Sequence, residues 1–179
     1  MLKTHIAALA ALAATLGATL LSVGSARAEQ GLIVHKAVSL DMALAMAHGS
    51  LDRCCQMNYK CAITVLDATG RTIIALQDDG ANLHRFDVAK KKAYTALVYR
   101  RPSKEVVEGW SKKTAQPIPL LEGTEPNPPI EGTIDMGGGI PIVVDKEVIG
   151  AIAVSGAPGW DMDEACAKAG LAKIADKLK

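Results

Sequence analysis

Ile140-Pro141-Ile142-Val143-Val144-Asp145-Lys146-Glu147-Val148-Ile149-Gly150-Ala151-Ile152-Ala153-Val154-Ser155 is the stretch whose reading decides the fold. Ile140 to Val144 and Val148 to Ser155 are apolar, β-branched runs of strand length. Only Asp145-Lys146-Glu147 joins them, so they read as a hairpin, and a hairpin pairs its strands antiparallel. Met136-Gly137-Gly138-Gly139 leads into this hairpin. A phosphate-binding glycine loop runs from a strand into a helix N-terminus, where free N–H groups meet the anion. This one runs into a strand and carries no Gly-Lys-Ser/Thr, so Walker and Rossmann roles are rejected. Two readings stay open for Gly137, Gly138 and Gly139: close approach of the backbone to a ligand or neighbouring subunit, or a tight entry into a central strand.

The same reading extends in both directions. Toward the N-terminus, Cys61 to Leu66 and Arg71 to Leu76 are short apolar runs separated by Asp67-Ala68-Thr69-Gly70, which is turn chemistry and predicts another hairpin. Before it, Ser39 reads as an N-cap with Asp41 in the first turn. Leu40, Leu44, Ala47, Leu51 and Cys54 recur at helical spacing, so a helix is expected from Leu40 to Met57. Phe86, Ala89, Ala93, Ala96 and Leu97 mark another helix that stops near Arg101-Pro102, and a short one is expected after Ser103. Thr114 to Gly139 is irregular and rich in proline. After the hairpin, Asp161 and Glu164 have capping-box spacing, and Ala167, Leu171, Ile174, Ala175 and Leu178 form an apolar stripe. The order is helix, hairpin, helix, loop, hairpin, helix. The fold class is therefore α+β, an antiparallel sheet flanked by helices in a single domain.

The first residues carry a different signal. A basic start at Lys3, an uncharged apolar run from Ile6 to Val23 and the small-residue site Ala26-Arg27-Ala28 read as a secretory signal peptide over residues 1–28. The apolar run lies at the short end of the membrane-spanning range, and the cleavage site favours removal over anchoring. The domain then covers 29–179, is expected to be periplasmic or secreted, and has no further segment that could span a membrane. With 20 basic and 19 acidic residues in the whole chain, no nucleic-acid footprint is present.

All 4 cysteines follow the signal: Cys54, Cys55, Cys61 and Cys166. An oxidising compartment permits a disulfide, with Cys54 or Cys55 to Cys61 the closest in sequence. Small buried packing residues are the other reading. No C-x-x-C-H is present, which excludes covalent c-type heme attachment, and the spacing does not suggest zinc.

Catalytic motifs are missing as well. Val154-Ser155-Gly156 lacks the first glycine of a nucleophile elbow, and the acidic pairs Asp78-Asp79 and Asp161-Asp163 are explained by turns and caps. His84 is the strongest ligand candidate, because it lies between the Asp79-Gly80-Ala81 loop and a helix start and imidazole is a common heme-iron ligand. His48, at the edge of an apolar stripe, is next, followed by His35, Tyr94 and Tyr99. Lys90-Lys91-Lys92 reads as a solvated helix face that could also pair with heme propionates. Aromatic residues are few, which favours a shallow or inter-subunit pocket.

Four stretches together carry a resemblance: Leu66-Asp67-Ala68-Thr69-Gly70; Asp79-Gly80-Ala81; Asp87-Val88-Ala89 with Lys92-Ala93-Tyr94-Thr95-Ala96; and Gly137-Gly138-Gly139-Ile140-Pro141-Ile142, continuing through Val148–Ala157 into Asp163-Glu164-Ala165-Cys166. In this order they resemble the GlcG/HbpS-like family, which includes the C-terminal domain of PduO-type proteins. The resemblance implies a profilin-like α+β domain that forms homo-oligomers, and non-covalent heme binding in an exported, non-catalytic role of storage, scavenging or sensing. The family carries no fixed ligand motif to this chain; on the residues' own reading His84 is the expected axial ligand, with Lys91 or Lys92 near the propionates. The alternative is an accessory or catalytic role on a small metabolite or corrinoid, using Gly137–Gly139 and the Pro-rich segment as its pocket.

Overall fold

The Ser39 hydroxyl accepts a hydrogen bond from the Met42 N–H at 3.2 Å and starts α1, Leu40–Gln56. The helix ends where Asn58 turns to a positive φ. The computed structural model describes Gly31, residues 34–111 and residues 130–178. The expected signal peptide and most of the Pro-rich stretch lie outside the described residues.

Two hairpins follow as expected. β1, Ala62–Asp67, pairs with β2, Thr72–Gln77, and β3, Gly139–Val144, pairs with β4, Glu147–Ser155. β1 also pairs antiparallel with β4, which joins the hairpins into one sheet of order β2-β1-β4-β3. At the first turn, one Asp67 carboxylate oxygen accepts from the Thr69 N–H and hydroxyl and from the Arg71 N–H. At the second, Asp145 and Lys146 both have positive φ, the backbone of a two-residue type I′ turn.

Alternation along the strands sends different side chains to the two faces. Ile63, Val65, Ile142, Ile152 and Val154 face a core shared with α1 and with α4, Trp160–Ala172. There Gly49 of α1 and Gly170 of α4 let the two helices close together. A Cβ on Gly170 would sit 2.3 Å from the Met46 carbonyl oxygen. The opposite face is built from Leu66, Ala151 and Ala153 and is covered by Ala93 and Ala96 of α2, Arg85–Tyr99. Small residues on both sides let α2 lie low on the sheet. α3, Ser103–Ser111, follows, and Tyr99 packs edge-on against Trp110 with ring centres 5.4 Å apart.

The last helix departs from expectation. It begins at Trp160 behind Gly159, and no capping box forms at Asp161. Glu164 pairs with Lys168 on the same helix, while Asp161 reaches Lys104. The helix stops at Ala172, and a single 3-10 turn, Ala175–Lys177, completes the stripe with Ile174 buried beneath it.

Candidate functional site

The start of α2 is an exposed end. His84 occupies its N-cap position without a capping hydrogen bond from the imidazole, and its side chain is in solvent. Leu83 beside it is 92% exposed and Phe86 is 37% exposed. Lys91 is exposed seven residues later. Seven residues are two helical turns, so Lys91 returns to the face of His84 about 10.5 Å along the axis. Helix periodicity therefore puts the two on one face, and both are exposed. His48 is also exposed, but on α1, across the sheet from α2. The two histidines do not form a joint site within one chain.

Lys92 requires a correction. It does not join Lys91 on the solvated face: its side chain is 2% exposed and its ammonium lies 2.6 Å from Asp163 Oδ2, itself 3% exposed. The ammonium also donates to the Val154 carbonyl at 3.3 Å, and Asp163 Oδ1 accepts from the Ala157 N–H at 2.9 Å. Burial pushes the Asp163 carboxyl above its ordinary range, and the Lys92 ammonium opposes that shift. A lysine so placed has no free donor at the surface for a propionate.

The glycine run packs over this pair. A Cβ on Gly139 would meet the Lys92 carbonyl oxygen at 2.2 Å, and the Gly139 N–H donates to the Ser103 hydroxyl at 2.9 Å. Gly138, at φ +119, would place a Cβ 3.2 Å from the Lys92 ammonium and 2.9 Å from Asp163 Cβ. Gly137 fits between the Cβ atoms of Lys104 and Trp160. All three glycines are buried, and the chain's own side chains fill the space beside them. Of the two readings of this run, the tight entry needs a correction: β3 is an edge strand in the order β2-β1-β4-β3, so the run enters the sheet's edge and not a central strand. The Pro-rich part of the alternative metabolite pocket lies outside the described residues.

Two features escaped the sequence reading. Asp163 as the partner of Lys92 is one. The other is a cluster of Cys54 from α1, Cys61 before β1 and Cys166 from α4, whose sulfurs lie within 4.8 Å of one another. All four cysteines are free thiols, and Cys55 stands outside the cluster, exposed and 3.7 Å from Asp78. No short-range motif could have revealed the trio, because its members come from distant parts of the chain.

Residues 38–172 match the family described as "Haem degrading protein HbpS-like". The chain belongs to the HbpS-like family. Protein GlcG of Escherichia coli K12 is 30% identical over 121 residues, which are 66% of this chain and 81% of GlcG. Among solved structures, a double mutant of Streptomyces reticuli HbpS superposes with a TM-score of 0.68 at 28% identity, over 81% of this chain and 93% of that one. A PduOC:heme complex superposes with a TM-score of 0.65 at 22% identity, over 78% of this chain and 96% of that one. These HbpS-like neighbours share the antiparallel α+β fold built above. Among the described residues, no helix is long and apolar enough to cross a membrane.

Proposed function

We propose that this HbpS-like chain binds heme reversibly and non-covalently at the exposed start of α2, with His84 as axial ligand and Lys91 pairing with a propionate. The observation that carries the proposal is the shared face of His84 and Lys91, two turns apart in solvent, with Leu83 and Phe86 exposed beside them. A neutral imidazole supplies the nitrogen donor that heme iron takes, an ammonium complements a carboxylate, and exposed apolar side chains offer contact to the flat ring. The family description and the heme complex of a PduO relative support the ligand class. A shallow site of this kind is completed by a second subunit, so the protein is proposed to act as a homo-oligomer. The N-terminal signal pattern supports a periplasmic or secreted location. The role is storage, scavenging or sensing, without turnover of the heme.

The test is a heme titration of the chain from Glu29 onward, wild type and His84→Ala, followed by the Soret band. Saturable binding that disappears in the variant supports the site. Binding retained in the variant moves the ligand to His48 or a tyrosine. Absence of saturable binding overturns the proposal. Adding a reductant and oxygen to the complex distinguishes a carrier, whose Soret band persists, from a heme-degrading protein, whose band bleaches.

A further inference from the structure

We infer that Cys54, Cys61 and Cys166 form a three-sulfur site for a soft, monovalent d10 cation, Cu(I). The trio is independent of the α2 face, since it lies on the other side of the sheet among α1, the start of β1 and α4. Each of the three residues is 0% exposed. Their sulfurs are within 4.8 Å of one another. Metal–thiolate bonds of about 2.3 Å set the sulfurs of a flat trigonal site about 4.0 Å apart. The observed trio therefore closes on an ion by moving less than about 1 Å.

Ligand chemistry selects the ion. Thiolates favour soft metals, Cu(I) and Zn(II) among them. Zn(II) takes four ligands in a closed structural site. Among the described residues, no histidine, carboxylate or further cysteine joins the three, and all three are shielded from water that could serve as the fourth. Three sulfurs with nothing else in reach suit a three-coordinate d10 ion.

Cu(I) would replace the three thiol protons, which leave to solvent.

The experiment is an anaerobic titration of reduced protein with Cu(I) against a chromophoric Cu(I) chelator, in a Cys55→Ser background that removes the exposed thiol. The expected result is one Cu(I) per chain, with an X-ray absorption spectrum showing sulfur neighbours only. Cys54→Ser, Cys61→Ser and Cys166→Ser should each weaken binding by more than about 100-fold, since losing even a supporting group outside the ligand shell costs 10–100-fold. Far-UV circular dichroism identifies any variant that has lost its fold, and the remaining variants then carry the test. Failure to withdraw Cu(I) from the chelator overturns the site. Affinity unchanged in Cys166→Ser, or binding lost on Cys55→Ser alone, overturns it too. So does a disulfide among the three in protein purified without reductant.

Discussion

Lys92→Met is the most informative perturbation of the fold. The substitution keeps the apolar stem and removes the ammonium that lies 2.6 Å from Asp163. The carboxylate left behind is 3% exposed and, among the described residues, keeps only the Ala157 N–H as partner. Breaking a buried pair from one side costs about 3–5 kcal/mol, because an uncompensated charge remains in the interior. With a urea slope of about 2 kcal/mol/M, the unfolding midpoint at pH 7 falls by about 2 M. Asp163→Asn should cost a similar amount by stranding the ammonium. The double variant Lys92→Met with Asp163→Leu removes both charges and should lose much less than the sum of the singles. Urea unfolding followed by circular dichroism measures all three. Single losses under about 1 kcal/mol, the size of a surface pair, or an additive double variant would refute the reasoning.

The pH dependence of Lys92→Met follows from the same pair. Burial already raises Asp163 above its ordinary 3.8, and Lys92 is the largest influence in the opposite direction. Without Lys92 the folded-state value rises further. A group raised in the folded state contributes fully below its unfolded value, and that contribution is lost as pH rises toward and through the folded value. Wild type and variant should thus lose stability in parallel until the wild-type folded value is passed, and above it the variant should fall behind at up to about 1.4 kcal/mol per pH unit. A gap that never widens as pH rises to 7 would contradict the assignment.

Three shorter predictions concern other elements. Gly139→Ala puts a Cβ 2.2 Å from the Lys92 carbonyl oxygen, so α2 must shift and the cost exceeds the usual overpacking loss of about 1–3 kcal/mol. Gly80→Ala meets nothing within 4 Å and loses only the left-handed backbone preference at φ +80, about 1–2 kcal/mol; chemical denaturation should rank the two in that order. At Asp67 burial acts upward, but hydrogen bonds from Thr69 and Arg71 outweigh it and hold the carboxyl below its usual range. Its contribution is present above its unfolded value and is lost as pH falls through the folded one, so the Thr69 and Arg71 amide NMR signals should shift together below pH 4 and stay fixed in Asp67→Ala. His84→Ala, at an exposed position without a side-chain cap, should leave the denaturation midpoint of the heme-free protein unchanged.

Local signals carried the reading of most elements. The Ser39 cap, the Asp67 turn and the apolar strand runs each depend on residues a few positions apart, and their hydrogen bonds appear where the spacing places them. Lys92 shows where such signals stop. Lys90, Lys91 and Lys92 are chemically identical, and only helix phase, set by buried Ala89, Ala93 and Ala96, turns the third inward. Its partner stands 71 residues later, beyond the range of any spacing rule. The cap at Asp161 fails for a related reason. Lys104, 57 residues away in sequence, takes that carboxylate, while Asp163 turns to the interior. The cysteines repeat the lesson: Cys54 and Cys61 are close in the chain, but Cys166 joins them only once α4 packs against α1.

The buried ion pair and the thiol trio are better understood as one electrostatic layer than as two separate features. Asp163 and Cys166 stand one turn apart on α4. The charge of Asp163 opposes thiolate formation at Cys166. A dry interior cannot hold several uncompensated negative groups this close together. Lys92 supplies the compensating charge from α2, where Gly138 and Gly139 leave it room at the start of the edge strand. A hydrophobic residue there would preserve the packing of α2 on Ala151 and Ala153 but leave the Asp163 carboxylate buried without its ion-pair partner. The glycine run makes structural sense on the same ground, since this entry to β3 is small enough to pass over a lysine that must lie inside.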